Sequence, residues 1–323
     1  MAAKTIAAWA GAAAILAGLA VGASAEERIA YKSAKSGTSY YQMGVELANA
    51  VKAGTDGEAI LTVEESQGSV QNVMEAAVRP GNYVFTAPPA LVKTAQEGGG
   101  DFADGSDRYG EIRSLFPIPS LTMHFVVRED SGIESFADLE GKTFLIGKGS
   151  FGASEAEKYF KLFGLEGKVE ISDAELNAAG PALKDGQIDG FATAGSWPAP
   201  NVIEAAAGTG IRLLSLSEEQ VAETGRTRIV IPAGTYPGVE ADTVTTSLAV
   251  FAYATTDMDE ETAYQLTKAY WEQKEKMAES NAWWQGVGAE MLENGFTQLH
   301  PQAAGSDPHV YVESAAFVAG FFQ

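Results

Sequence analysis

An α/β fold is predicted from three features of the chain. Short apolar runs of strand length alternate with segments whose apolar residues recur at helical spacing, so parallel sheets covered by helices on both faces are expected. There are no cysteines, so disulfides, thiol catalysis and thiolate metal sites are excluded and a packed core must carry stability. With 46% apolar residues in 323, the chain can supply one such core, or two.

The first 25 residues carry one lysine, a mostly apolar run and the small-residue site Ala23-Ser24-Ala25. That is the pattern of a secretory signal cleaved after Ala25, and it predicts a periplasmic protein. No Arg-Arg pair precedes the run, which favours export of the unfolded chain. No later apolar run approaches membrane-spanning length, so the mature chain is expected to be soluble. The formal charge is −21, and cleavage removes only Lys4. So acidic a surface argues against nucleic acid and anionic lipid as partners.

Strand-like runs follow at 28–32, 59–64, 82–86, 121–128, 142–146, 168–171, 188–193, 211–216 and 244–254. Helical patterns lie at 40–53, 69–78, 153–163, 175–185, 199–207 and 259–280. The glycine-rich stretch 97–110 reads as a surface connection. One internal echo stands out. "IAYKSAKSGTSYYQMGVELANAV" laid over "FLIGKGSFGASEAEKYFKLFGLE" sets Gly37 on Gly152 and Ser39 on Ser154. Each half then offers a strand, a small-residue loop and a helix start. Such a turn aims free backbone N–H groups and a helix's positive end out of the sheet. Ser36, Thr38, Ser39, Ser150 and Ser154 add hydroxyls that cap the helix or reach a ligand.

Enzyme signatures fail. "GKGSFG" (147–152) has the form of a dinucleotide fingerprint, with Glu170 and Asp173 about twenty residues on. It sits mid-chain, however, in a protein expected to reach a compartment without nicotinamide cofactors. "KGSFG" misses the serine-hydrolase elbow by its first residue. His124 lies in a strand pattern and reads as a core or hydrogen-bonded histidine. His300 and His309 are too far apart for a helical zinc pair. No catalytic residue, metal or cofactor is implied.

Five blocks, in order, resemble solute-binding proteins of tripartite ATP-independent periplasmic (TRAP) transporters, of the TAXI type. They are "SGTSYYQMGVELANAV", "GSVQNV" (68–73), "LTMHFVVREDSGIESFADLEGKTFLIG" (121–147), "LKDGQIDGFATAGSWP" (183–198) and "LHPQA" (299–303). The resemblance covers nearly all of the mature chain. It implies a two-lobed periplasmic binding protein fold, type II-like, with a ligand cleft between the lobes. Lobe I would be 26–120 and 256–323, and lobe II 121–255, with hinges near Ile118–Ser120 and Ala254–Thr256. It also implies a monomeric receptor that captures a small organic acid and hands it to TRAP membrane subunits. A receptor of the same fold serving an ATP-driven importer or a sensor kinase is the alternative.

Ligand-binding candidates come from the two small-residue turns and these blocks together: Lys35, Ser36, Gly37, Thr38, Ser39 and Tyr40 in the first turn, and Ser66, Gly68, Ser69 and Thr86 beside it. Lys148, Ser150, Phe151, Gly152, Ser154 and Trp197 come from the second half. Some positions depart from the family. Thr38 replaces a glycine, "SFGA" (150–153) replaces a hydroxyl-rich loop, and a glutamine near the third strand is missing around Thr86. Trp197 either lines the cleft or joins the core. Trp283 and Trp284 read as packing anchors, and His300-Pro301 as a buttress. Lys32 or Lys35 in one turn and Lys148 in the other stand beside helix N-termini that favour negative charge. The resemblance implies an amino-acid or dicarboxylate ligand, which these departures keep from carrying over directly; a small carboxylate with an apolar portion, amino-acid-like and dicarboxylate-like ones included, is expected.

Overall fold

A computed structural model of the chain describes residues 27–79, 81–288 and 291–292. The signal at 1–25, the "LHPQA" block with His300 and Pro301, and His309 lie outside them.

The first half opens with β1 (Glu27–Lys32), α1 (Ser39–Gly54), β2 (Ala59–Glu64), α2 (Ser69–Ala76), β3 (Tyr83–Ala87) and α3 (Pro89–Gln96). β1 pairs in parallel with both β2 and β3. β1 buries Ile29 and Tyr31, and α1 buries Met43, Leu47 and Val51 at helical spacing. After β4 (Ile112–Arg128) comes a second set: β5 (Thr143–Leu145), α4 (Phe151–Leu162), β6 (Glu170–Ser172), α5 (Ala179–Lys184), β7 (Gly190–Gly195) and α6 (Pro200–Gly208). β5 again pairs in parallel on both sides, with β6 and β7. β8 (Ile211–Leu213), α7 (Glu218–Thr224), β9 (Thr227–Ile231), β10 (Thr243–Thr255) and α8 (Glu260–Ser280) complete the order.

The ten strands of the described residues form one sheet, along the path β2-β1-β3-β10-β4-β7-β5-β6, with β8 on β4 and β9 on β10. The expectation of parallel sheets therefore holds only within each set. β4 and β10 run antiparallel to their neighbours and sew the two sets together. Both change partners along their length. β4 pairs with β10 from Ile112 to Thr122 and with β7 from Thr122 to Val127. β10 pairs with β9 over Thr243–Ser247 and with β3 over Phe251–Tyr253, with a register shift between Leu248 and Val250.

The stretch 97–110 is not merely a surface loop: Phe102 and Tyr109 are buried and meet edge to face. α8 lies against α1 and carries the chain to the turn 282–286, where Trp284 is fully buried against Tyr270. The Trp284 indole N–H donates to Glu46 of α1 at 2.6 Å, and that of Trp283 to the Pro198 carbonyl at 3.1 Å. Both tryptophans anchor packing, as their sequence position suggests.

Candidate ligand-binding site

A cavity of about 50 Å³ opens where the carboxyl ends of both parallel sets face each other. In open α/β sheets that is where ligands sit. Three helices begin at its wall. α1 starts at the N-cap Thr38, α2 at Gly68 and α4 at Ser150. Each brings unpaired first-turn N–H groups and the positive end of its dipole. Ser150 Oγ accepts from the Ala153 N–H at 3.0 Å, whereas Gly68 offers no side-chain cap, so the first N–H groups of α2 have no side-chain acceptor there.

The floor is fixed from below by buried polar groups. Asn72 donates from its amide to the carbonyls of Ser33, at 2.7 Å, and Thr86, at 3.0 Å, tying β1 to β3 at the cavity edge. The Tyr31 hydroxyl meets Thr86 Oγ1 at 2.7 Å, and burial pushes the Tyr31 pKa up to about 12, so it stays a neutral hydrogen-bonding group. Tyr40 donates to the Pro119 carbonyl at 3.0 Å and is also held neutral by burial. In the second set, Thr193 Oγ1 accepts from Asn201 at 3.0 Å. Beneath it His124 Nε2 meets the Tyr236 hydroxyl at 2.8 Å while Nδ1 meets the Thr122 carbonyl at 3.1 Å. Since Thr122 O only accepts, Nδ1 carries the proton and Nε2 accepts from Tyr236. Tyr236 in turn accepts from the Ala199 N–H, at 2.9 Å. Desolvation lowers the His124 pKa to about 4, so this histidine is a neutral core group, in agreement with its sequence reading.

Of the sequence candidates, Lys35, Thr38, Tyr40, Gly68, Ser69, Thr86, Ser150, Phe151 and Gly152 line the cavity. The others do not. Ser36 turns outward and gives both its N–H and its hydroxyl to Glu65, which lowers the Glu65 pKa. Gly37 supplies the left-handed backbone, φ 83°, that precedes the helix. Ser39 is buried against the second set, so close that a Cβ on Gly195 would fall 2.4 Å from its Oγ. Ser66 accepts from the Gly68 N–H and donates to Ser33 O, shaping the turn from behind. Ser154 is exposed on α4. Trp197 is half-buried against the core cluster that holds Val202 and Tyr236, and it is not among the cavity-lining residues. Lys148 is 70% exposed and pairs with Asp173 at 2.7 Å outside the cavity, a pairing that raises its pKa and lowers that of Asp173. Lys32 is buried between Glu64 and Glu75.

The sequence reading missed Ser33, Gln67, Leu121, Ile146, Leu176 and Thr193, which also line the cavity. Ser33 and Ile146 directly follow β1 and β5, and Thr193 ends the predicted run 188–193, so the strand-end rule applied to every run finds these three; Gln67, Leu121 and Leu176 carry no such signal.

The two sets touch across the cavity. A Cβ on Gly68 would lie 3.2 Å from Ser150 Cβ, and Lys35 bonds Glu175 at 3.2 Å. The NMT1-like family matches residues 32–305, most of the chain. The chain belongs to the NMT1-like family. Among solved structures, the periplasmic binding protein BugD superposes with a TM-score of 0.54 at 11% identity, covering 91% of this chain and 98% of BugD. A protein from Bordetella bronchiseptica RB50 superposes with a TM-score of 0.52 at 16% identity, covering 90% and 81%. The fold of this NMT1-like protein is thus the two-lobed α/β fold of periplasmic binding proteins, with the sheet curled across both lobes and the cavity between them.

Proposed function

We propose that this NMT1-like protein is an extracytoplasmic solute receptor that captures a small organic anion and acts as a monomer. One observation carries the reading: three helix N-termini and the carboxyl ends of both parallel strand sets converge on one small cavity. Free N–H groups and aligned dipoles favour a carboxylate there. Leu121, Ile146, Phe151 and Leu176 suit an apolar remainder. Membership of a family with a binding-protein fold supports capture rather than turnover.

Lobe I comprises 26–120 and the C-terminal part of the chain, and lobe II begins at 121. The first crossing is assigned to Ile118–Ser120 in β4, and the shift in its register with β10 between Ile118 and Leu121 supports this. The second is assigned to Ala254–Thr256 at the end of β10, which follows a further shift in register with β4 between Ala252 and Tyr253. Domain closure about these two crossings would offer membrane subunits a recognisable shape. The sequence blocks favour TRAP-type subunits as the recipients, in the periplasm after removal of residues 1–25. Uptake into vesicles driven by an ion gradient without ATP is expected; a requirement for ATP hydrolysis would favour an ATP-driven importer.

The anion reading is tested by a thermal-shift screen of small carboxylates, neutral sugars and amines, backed by native mass spectrometry of freshly purified protein. Stabilisation by carboxylates is expected. Stabilisation only by neutral or cationic compounds would overturn it.

A further inference from the structure

Lys35 is the cation on the cavity wall, and its charge is already answered. Its Nζ lies 3.2 Å from Glu175 of the opposite lobe and 4.0 Å from Glu65 of its own. Gln67, with its amide turned to satisfy both neighbours, donates to Glu175 and accepts from Lys35, each at 3.2 Å. The Lys35 side chain is mostly buried, at 19% exposed, so the pair is shielded on that side. The Glu175 side chain is 55% exposed and outside the cavity lining, but the Lys35 it pairs with lines the cavity, so the carboxylate stands at its mouth. Among the described lining residues no other lysine or arginine is present.

The geometry points to Glu175 as a specificity-determining residue that makes the site select monocarboxylates over dicarboxylates. This rests on the anion reading above. The first carboxylate is held by helix N-termini, which need no counter-ion. A second carboxylate would have to compete with Glu175 for Lys35, or lie against Glu175 itself. Either is unfavourable, because like charges at close range repel and a displaced partner loses its pairing. A monocarboxylate with an apolar tail meets neither obstacle, and its tail finds Leu121, Phe151 and Leu176. Lys35 then serves closure, since its partner comes from the other lobe, rather than ligand charge.

Calorimetry on the full mature chain tests this with chain-matched pairs: butanoate with succinate, pentanoate with glutarate, hexanoate with adipate. The tightest-binding monocarboxylate is expected to bind at least tenfold more tightly than its dicarboxylate match. Glu175→Gln should shrink that ratio at least fivefold. Because the ratio compares two ligands on one variant, any general weakening of closure cancels. Asp173→Asn, which removes an equal charge outside the cavity, should leave the ratio unchanged. Preference for the dicarboxylate in the native chain, a ratio unmoved by Glu175→Gln, or an equal change from Asp173→Asn would overturn the assignment. Binding by no member of either series would sink the anion reading itself, and this inference with it.

Discussion

The turn from β1 to α1 and the turn from β5 to α4 use one device in two settings. The N-cap residues Thr38 and Ser150 adopt nearly the same backbone angles, −93°, 158° and −94°, 158°. Each follows a glycine in the left-handed region, Gly37 at 83° and Gly149 at 84°, a conformation that side chains with a Cβ resist. In this register Lys35 stands opposite Gly147, and Lys148 opposite Ser36. The outward groups correspond too: Ser36 bonds Glu65, just after β2, and Lys148 bonds Asp173, just after β6. The two lysines are therefore not equivalent. The first faces the cavity and the other lobe, and the second decorates the outside. Local geometry repeats between the lobes while the charge pattern does not.

The fastenings beneath the turns differ as well, and that difference has the largest expected effect. Lobe I holds its strand ends with Asn72, which does not titrate, and lobe II uses His124 with Tyr236. A histidine with a folded pKa of about 4 is neutral in the native state while the unfolded chain protonates it near 6.5. Between those values the unfolded state binds more protons, so stability falls as pH drops through the window and is level above it. The loss is about 3 kcal/mol from this group. Denaturant unfolding at pH 7.5 and 4.5 should show it. His124→Gln should remove most of this extra pH dependence, and an unchanged slope in the variant would place the effect elsewhere.

Next in size is Gly68→Val, which adds a branched side chain where φ is 124° and Ser150 of the other lobe is already close. Carboxylate affinity should drop about a hundredfold, or about 2.8 kcal/mol. Small-angle scattering with saturating carboxylate should then give a larger radius of gyration than the native chain. Equal radii and affinities would mean that closure does not bring these helices together.

How much of this was legible follows from what the sequence pattern encodes. β1, β2 and α1 stand within a residue of their predicted limits because apolar periodicity and a capping hydroxyl mark both ends. The first part of β4 was hidden by Pro117 and Pro119, which lack the N–H a strand normally donates. Their carbonyls still accept, from Tyr270 and Tyr40. α3 was hidden in the same way, since it begins at Pro89 directly after Pro88. α7 is short and mostly exposed, with Val221 its one buried apolar residue, and β9 offers only the unbroken apolar run 229–231, too short to show a period. The internal echo was real in kind but three residues out of register. It matched Gly37 with Gly152, yet Gly152 is small for another reason: a Cβ there would lie 2.6 Å from that of Ala194 on β7. Which lysine faces the cavity depends on acidic partners far along the chain, which no local pattern shows.

Removing each cap sharpens the comparison of the two turns. Thr38 also donates to the Lys35 carbonyl at 2.7 Å, a bond that Ser150 lacks a counterpart for among the hydrogen bonds described. Thr38→Ala should cost about 2 kcal/mol of stability and Ser150→Ala about 1. Equal losses in chemical unfolding would mean that the extra bond adds nothing.

The smallest effect belongs to Lys148→Met. With its charge outside the cavity, carboxylate affinity should stay within about twofold of the native value, as expected for an exposed ion pair. A tenfold loss by calorimetry would return Lys148 to the site.

The central claim is that both turns hold one anion together. It is tested most directly by amide chemical shifts in the labelled mature chain, titrated with the tightest-binding monocarboxylate of the butanoate-to-hexanoate series. The account predicts large shifts at the N–H groups of Ser39 and Tyr40, of Ser69 and Val70, and of Phe151 and Gly152, all following one binding curve. Shifts confined to one turn, or following separate curves, would contradict it.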